Sequence, residues 1–171
     1  MMWRKVLDEG WRLKQLEPAR ALDPALLDEA SRGAWEGGWL EIPQMPAMVH
    51  DVLLAHGRIE APWKPGGAEA CRWVAESDWV YACPFEVKEP AGRFDLSFAG
   101  LDTIVDVYLN GARIAQQSNA LLPLRLEVGE HLQAKNVLLL HFRTVFETSG
   151  PSPVPIWFVD GDPHRPVRRP R

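Results

Sequence analysis

Cysteine is scarce: Cys71 and Cys83 are the two in 171 residues. Two cysteines cannot build a disulfide scaffold, and without a second pair they make no zinc site. In a reducing cytoplasm two buried free thiols are expected rather than a bridge. A basic surplus is also missing. Lys and Arg number 19 against 23 Asp and Glu, a net charge of −4, whereas nucleic-acid-binding domains usually carry excess positive charge. No apolar run approaches the roughly 20 residues that span a bilayer. The stretch Met1–Leu16 mixes Arg4, Lys5, Asp8, Glu9 and Arg12 among its apolar residues. It therefore lacks the unbroken apolar segment of a signal peptide, and a cytoplasmic location is the expectation. No Gly-rich phosphate loop follows a strand, no nucleophile-elbow serine occurs, and the five histidines show no metal-ligand spacing. No cofactor, metal, nucleic acid or membrane is expected.

What is present is an ordinary globular balance, 46% apolar and 25% charged, enough to offset the entropy of ordering one domain. A chain of this size buries roughly two-thirds of its unfolded surface and needs no metal or disulfide to hold it. Eight Trp is the unusual figure. Trp fills cores, and it also offers a flat apolar face to sugar rings.

Along the chain, Trp11-Arg12-Leu13 alternates as a strand does. Asp23-Pro24 gives an N-cap and a first-turn proline, with Leu26, Leu27 and Ala30 at helical spacing, so a short helix or ordered loop follows. Pro43 and Pro46 forbid a central strand. From Pro46 a short helix is expected, with Met48, Val49, Val52 and Leu53 on one face and Gly57 as terminator. Residues 60–70, EAPWKPGGAEA, read as a loop with Trp63 exposed in it. From residue 77 the pattern is β: 77–87, 93–98, 103–109, 112–116, 122–128 and 137–143. Asn110-Gly111 is a strong hairpin signal, because both positions accept positive φ. In 77–85, Trp79, Tyr81 and Cys83 share one face and Asp78, Val80 and Ala82 the other, with one of the two facing the core. Short strands and frequent turns give an all-β antiparallel sandwich with short N-terminal helical segments. Alternation assigns Phe94, Leu96, Phe98, Val105, Val107, Leu109, Leu124, Leu126, Leu138, Leu140 and Phe142 to inner faces. The domain is expected to span residues 1–148. Residues 149–171, rich in Pro and Arg, form a tail, extended or disordered.

Four stretches carry a resemblance: IPQMPAMVHDVLLAHGRIEAPW (42–63), EACRWVAESDWVYACPF (69–85), FAGLDTIVDVYLNG (98–111) and SNALLPLRLEV (118–128). Together they resemble the N-terminal jelly-roll, or sugar-binding, domain of glycoside hydrolase family 2, on the β-mannosidase side. Val49-His50, the spacing of Trp73 to Asp78-Trp79, and Asn119 point to that branch. The chain departs from the family pattern at Ala47, Ala68 and Ala82, where Gly, Asn and Arg are usual. The resemblance implies a galactose-binding-domain-like jelly roll and a β-mannoside-type carbohydrate substrate. It also implies a partner, a downstream (β/α)8 barrel that carries the two catalytic carboxylates and is missing from this chain. Retaining hydrolysis needs two carboxyls roughly 5 Å apart. Glu41, Glu60, Glu69, Glu76 and Glu86 read as solvated surface, so no catalytic residue is assigned.

By the same resemblance the loop before the long strand approaches the barrel. Trp63, Glu69 and Arg72 become the substrate-side candidates, against simple surface or interdomain packing. Trp73 and Asn119 join them as candidates for a ligand face. Three readings follow: a non-catalytic accessory domain present as a fragment, a free-standing carbohydrate-binding module, or a structural remnant with an interaction role. His50 and Asp51 are sequence neighbours, but neighbours on a helix point about 100° apart and do not face each other. A hydrogen-bonded structural histidine is expected there.

Overall fold

Strand β3, Asp78–Glu86, is the longest among the described residues and sits third in a six-stranded sheet ordered β2-β1-β3-β8-β5-β6. The others in that sheet are β1 (Arg12–Leu16), β2 (Leu40–Glu41), β5 (Val105–Leu109), β6 (Ala112–Gln117) and β8 (Lys135–Phe142). A second sheet pairs only β4 (Asp95–Phe98) with β7 (Leu124–Glu127). The computed structural model describes residues 4–18, 22–35 and 37–144, and every pairing among them is antiparallel. The expected tail, 149–171, lies outside the described residues. The all-β antiparallel sandwich read from the sequence is the fold.

Between the sheets lies the main core. Leu13, Tyr81, Leu140 and Val107 stand in register across β1, β3, β8 and β5 on the inner face. Helix α2 (Val49–Ala55) adds Val52 and Leu53, and the short helices α3 (Gly67–Ala70) and α4 (Arg72–Ala75) add Cys71 and Val74 beside them. The helical segments and the β4–β7 pair thus share the covering of one face. Helix α2 begins at Val49 rather than at Pro46, with the Asp51 carboxylate accepting from the Met48 N–H at 3.1 Å. His50 is half-buried on that helix.

The outer face is covered too, which corrects the expectation of a single core face in β3. Val80, Ala82, Tyr108, Val137 and Leu139 form a second apolar cluster with Leu22, Leu26, Ala30 and Trp39. Helix α1, Pro24–Ser31, lies over this face and buries Leu26 and Ala30, four residues apart on one stripe. Its N-cap forms as read, with Asp23 Oδ1 accepting from the Ala25 N–H at 2.8 Å. Lys14 fastens the helix to β1 through Glu29 at 2.9 Å, while the Trp39 indole N–H donates to the same carboxylate at 3.1 Å. Lys14 Nζ also lies 5.3 Å from the Trp39 ring centroid. The central strands are therefore buried on both sides, as parallel-sheet strands usually are and antiparallel ones less often.

The inner-face assignments divide. Val105, Val107, Leu109, Leu138 and Leu140 are buried. Phe94, Leu96, Phe98, Leu124, Leu126 and Phe142 are only half-buried. For Phe94 and the β4 and β7 residues the reason lies in the second sheet: two strands are too narrow to close over their own inner residues.

The β5–β6 hairpin turns at Asn110 (φ 52°) and Gly111 (φ 86°), as the dipeptide predicts. The Asn110 side chain does more than turn. Its Nδ2 donates to the His131 carbonyl at 2.7 Å and to Asn136 Oδ1 at 2.9 Å, and its Oδ1 accepts from the Val137 N–H at 2.9 Å. That clasps the hairpin to the start of β8. Cys71 and Cys83 are buried and free. No helix among the described residues is long and apolar enough to cross a membrane.

Candidate functional site

Gln15, Trp79, Phe142, Val105 and Gln117 form one register row across β1, β3, β8, β5 and β6. Beyond that row, at one end of the sandwich, lie α3 and α4, the 99–104 connection, the 118–123 loop and the point where the chain leaves β8. Glu69, Arg72, Trp73 and Asn119 all belong to this end, but not to one cluster. Three strand spacings separate β3 from β6, about 14 Å, so Asn119 stands at one corner and α3–α4 at the other.

The α3–α4 corner is tightly built, which corrects the reading of residues 60–70 as loop throughout: Gly67–Ala70 is helical. A side chain at Gly67 would place its Cβ 2.3 Å from the Ala61 carbonyl oxygen. Glycine therefore lets the Pro62–Pro65 turn lie against α3. That turn holds Trp63 outward, 79% exposed. Glu69 is exposed, and exposed Arg72 pairs with Glu76 one helical turn on at 3.0 Å. An exposed (i, i+4) pair of this kind contributes about 0.3–0.5 kcal/mol. Trp73 is half-buried, its ring tilted 42° against Trp79 with centroids 6.1 Å apart. The Trp79 indole N–H donates to the Val74 carbonyl at 2.8 Å, so Trp79 fills the core. Of the two tryptophans proposed from sequence, Trp63 offers a free ring and Trp73 a partial one.

At the opposite corner Asn119 Oδ1 accepts from the Leu121 N–H at 3.0 Å, making an Asx turn. Gln117 Nε2 donates to the carbonyls of Asn119 (2.6 Å) and Leu122 (2.8 Å). The loop so braced presents two leucines to solvent, Leu121 at 90% and Leu122 at 57% exposure.

Between the corners lies a buried polar network that sequence reading missed. Asp78 Oδ2 lies 2.9 Å from His141 Nε2, and Asp78 Oδ1 accepts from the Thr144 N–H at 2.7 Å. Thr144 Oγ1 donates to the Ala75 carbonyl at 2.7 Å. Asp78 and His141 are 63 positions apart, and only the β3–β8 pairing brings them together. A second buried carboxylate, Asp106, lies 3.4 Å from Arg113 Nη1 and 3.3 Å from Arg143 Nε. Arg143 Nε points out of line for a hydrogen bond, so that contact is one of charge alone.

These groups do not make a hydrolytic pair. Asp78 and Asp106 are each 1% exposed and closed off from any sugar. Asp95 is held below the usual carboxylate range by its hydrogen bond to Arg125, the opposite of what a general acid requires. No group of three or more His, Cys, Asp or Glu among the described residues could hold a metal ion.

Comparison with known proteins gives the family. The model of the glycosyl hydrolase 2 galactose-binding domain-like family matches residues 11–169. β-Mannosidase B of Neosartorya fischeri is 33% identical over 139 residues, 76% of this chain but 16% of that protein. β-Mannosidase B of Thermothelomyces thermophilus is 31% identical over 143 residues, covering 82% of the chain and 15% of the relative. The chain thus spans about a sixth of the length of these curated relatives. Among solved structures, the β-D-mannosidase of Dictyoglomus thermophilum superposes over 84% of the chain and 16% of that protein with a TM-score of 0.68 at 23% identity. An exo-chitosanase of Amycolatopsis orientalis follows at TM-score 0.61 and 19% identity, over 77% of the chain and 16% of that protein. Both confirm the fold. With its jelly-roll sheets, its ordered 60–75 corner and a family match over most of its length, the chain belongs to the galactose-binding-like domains of glycoside hydrolase family 2 and is similar to the corresponding part of β-mannosidases.

Proposed function

We propose that this chain serves as the non-catalytic, sugar-side domain of a β-mannosidase-like hydrolase and works by packing against a catalytic barrel. The observation that carries the reading is the match itself: 76% of the chain aligns with 16% of a β-mannosidase. So small a share supports the reading of an accessory domain within a longer protein. Trp63, Glu69, Arg72 and Trp73 then border a pocket for a β-mannoside from one corner of the end that faces the barrel, with Asn119 at the opposite corner. The exposed Leu121–Leu122 pair supports the same orientation, since a braced loop that shows two leucines to water suits a covered surface. The division at residue 148 and a cytoplasmic location, which two free buried thiols suit, belong to the same proposal.

The test is hydrolysis of an aryl β-mannoside by the purified chain. No turnover above buffer is expected, because retaining hydrolysis needs two flanking carboxyls. Turnover abolished by changing one of the chain's own glutamates to Gln would overturn the non-catalytic role. A second reading, a free-standing carbohydrate-binding module, is favoured by one feature, the exposed Trp63 ring.

A further inference from the structure

We infer that the Asp78–His141–Thr144 network is a latch that fixes where the chain leaves the six-stranded sheet. The ladder ends just before Thr144. Phe142 is the last residue of β8, and the Arg143 N–H still reaches the Ile104 carbonyl at 2.9 Å. Thr144 is then held from two sides. Its N–H donates to Asp78 at the first residue of β3, and its hydroxyl donates to Ala75 at the last residue of α4. The exit of the chain is thereby tied to the helix that carries Arg72 and Trp73.

Asp78 is almost wholly buried, and a buried carboxylate needs partners. His141 Nε2 meets its Oδ2 at 2.9 Å, while its Oδ1 accepts from the Thr144 N–H at 2.7 Å. The inference rests on this geometry alone and stands whether or not the glycosidase reading does.

Amide exchange by NMR on the 171-residue chain tests it, with the double variant Asp78→Leu/His141→Leu. Replacing both members of a buried pair by apolar side chains spares the core. Losing the charge-assisted bond should speed exchange at the Thr144 amide by about tenfold or more, while Val107 and Leu139 stay protected. His141→Gln, which keeps an Nε–H donor for Asp78, should leave Thr144 protection close to wild type. Thr144 protection unchanged in the double variant, or falling in step with the core amides, overturns the latch.

Discussion

Leu138 and Leu139 are adjacent on β8 and point to opposite faces of the sheet. Leu138 is 0% exposed in the main core, and Leu139 is 1% exposed under α1. If α1 is an integral layer, Leu139→Ala should cost as much as Leu138→Ala. Truncating a fully buried leucine removes its transfer energy and leaves a partly unrelaxed cavity, about 2–5 kcal/mol in all. We take about 3 kcal/mol for each. Domains are stable by roughly 5–15 kcal/mol, so both variants should still fold. In urea, with a slope of about 2 kcal/mol per molar, the midpoint should fall by about 1.5 M in each case. The slope itself should not change. A leucine on an uncovered outer face would instead give a change within about 0.5 kcal/mol. A Leu139→Ala midpoint within about 0.3 M of wild type, beside a full loss in Leu138→Ala, would refute the reasoning that α1 closes the outer face.

Asp23→Ala should destabilise by about 1 kcal/mol through loss of the α1 cap, read as a urea midpoint shift, and no shift would mean the cap bond carries nothing. Burial pushes the Cys83 thiol from 9.0 up to about 12, with Lys5 opposing slightly. The unfolded chain therefore ionises first, so stability should be full below pH 9 and fall as pH rises toward 12, with Tyr81 shifted in the same direction by burial and by Asp51. A urea midpoint that rises over that range, or rapid thiol labelling of the native protein at neutral pH, would contradict this. Leu121→Ser/Leu122→Ser should weaken self-association in sedimentation velocity at high protein concentration without lowering the urea midpoint. A wild-type chain that stays monomeric under those conditions would count against a surface built to be covered.

Much of the fold was legible because local chemistry decided it. Asn110-Gly111 dictates a hairpin, Asp23-Pro24 a helix start, and the Phe94-Leu96-Phe98 alternation a half-buried strand. The second covering layer was not legible from alternation, since strands buried on both sides do not alternate. The signal was still there in Val137-Leu138-Leu139-Leu140, a continuous apolar run of the kind a doubly covered strand shows. Extent of burial was over-read for Leu96, Phe98, Leu124 and Leu126, because alternation names the inward face but not the width of the sheet above it. At the candidate site the exposure of Trp63 followed from its Pro-rich turn. The tilt of Trp73 onto Trp79 and the Asp78–His141 contact depend on chain distant in sequence, so no local pattern announces them.

The central claim is that this domain holds part of a sugar site and depends on a partner for the rest. Titration calorimetry of the isolated chain with mannose and manno-oligosaccharides tests it most directly. One stacking tryptophan contributes only about 1 kcal/mol beyond its burial, so half a pocket should bind no tighter than roughly millimolar, about −4 kcal/mol. Micromolar binding that disappears in Trp63→Ala would contradict the claim and identify a self-sufficient carbohydrate-binding module.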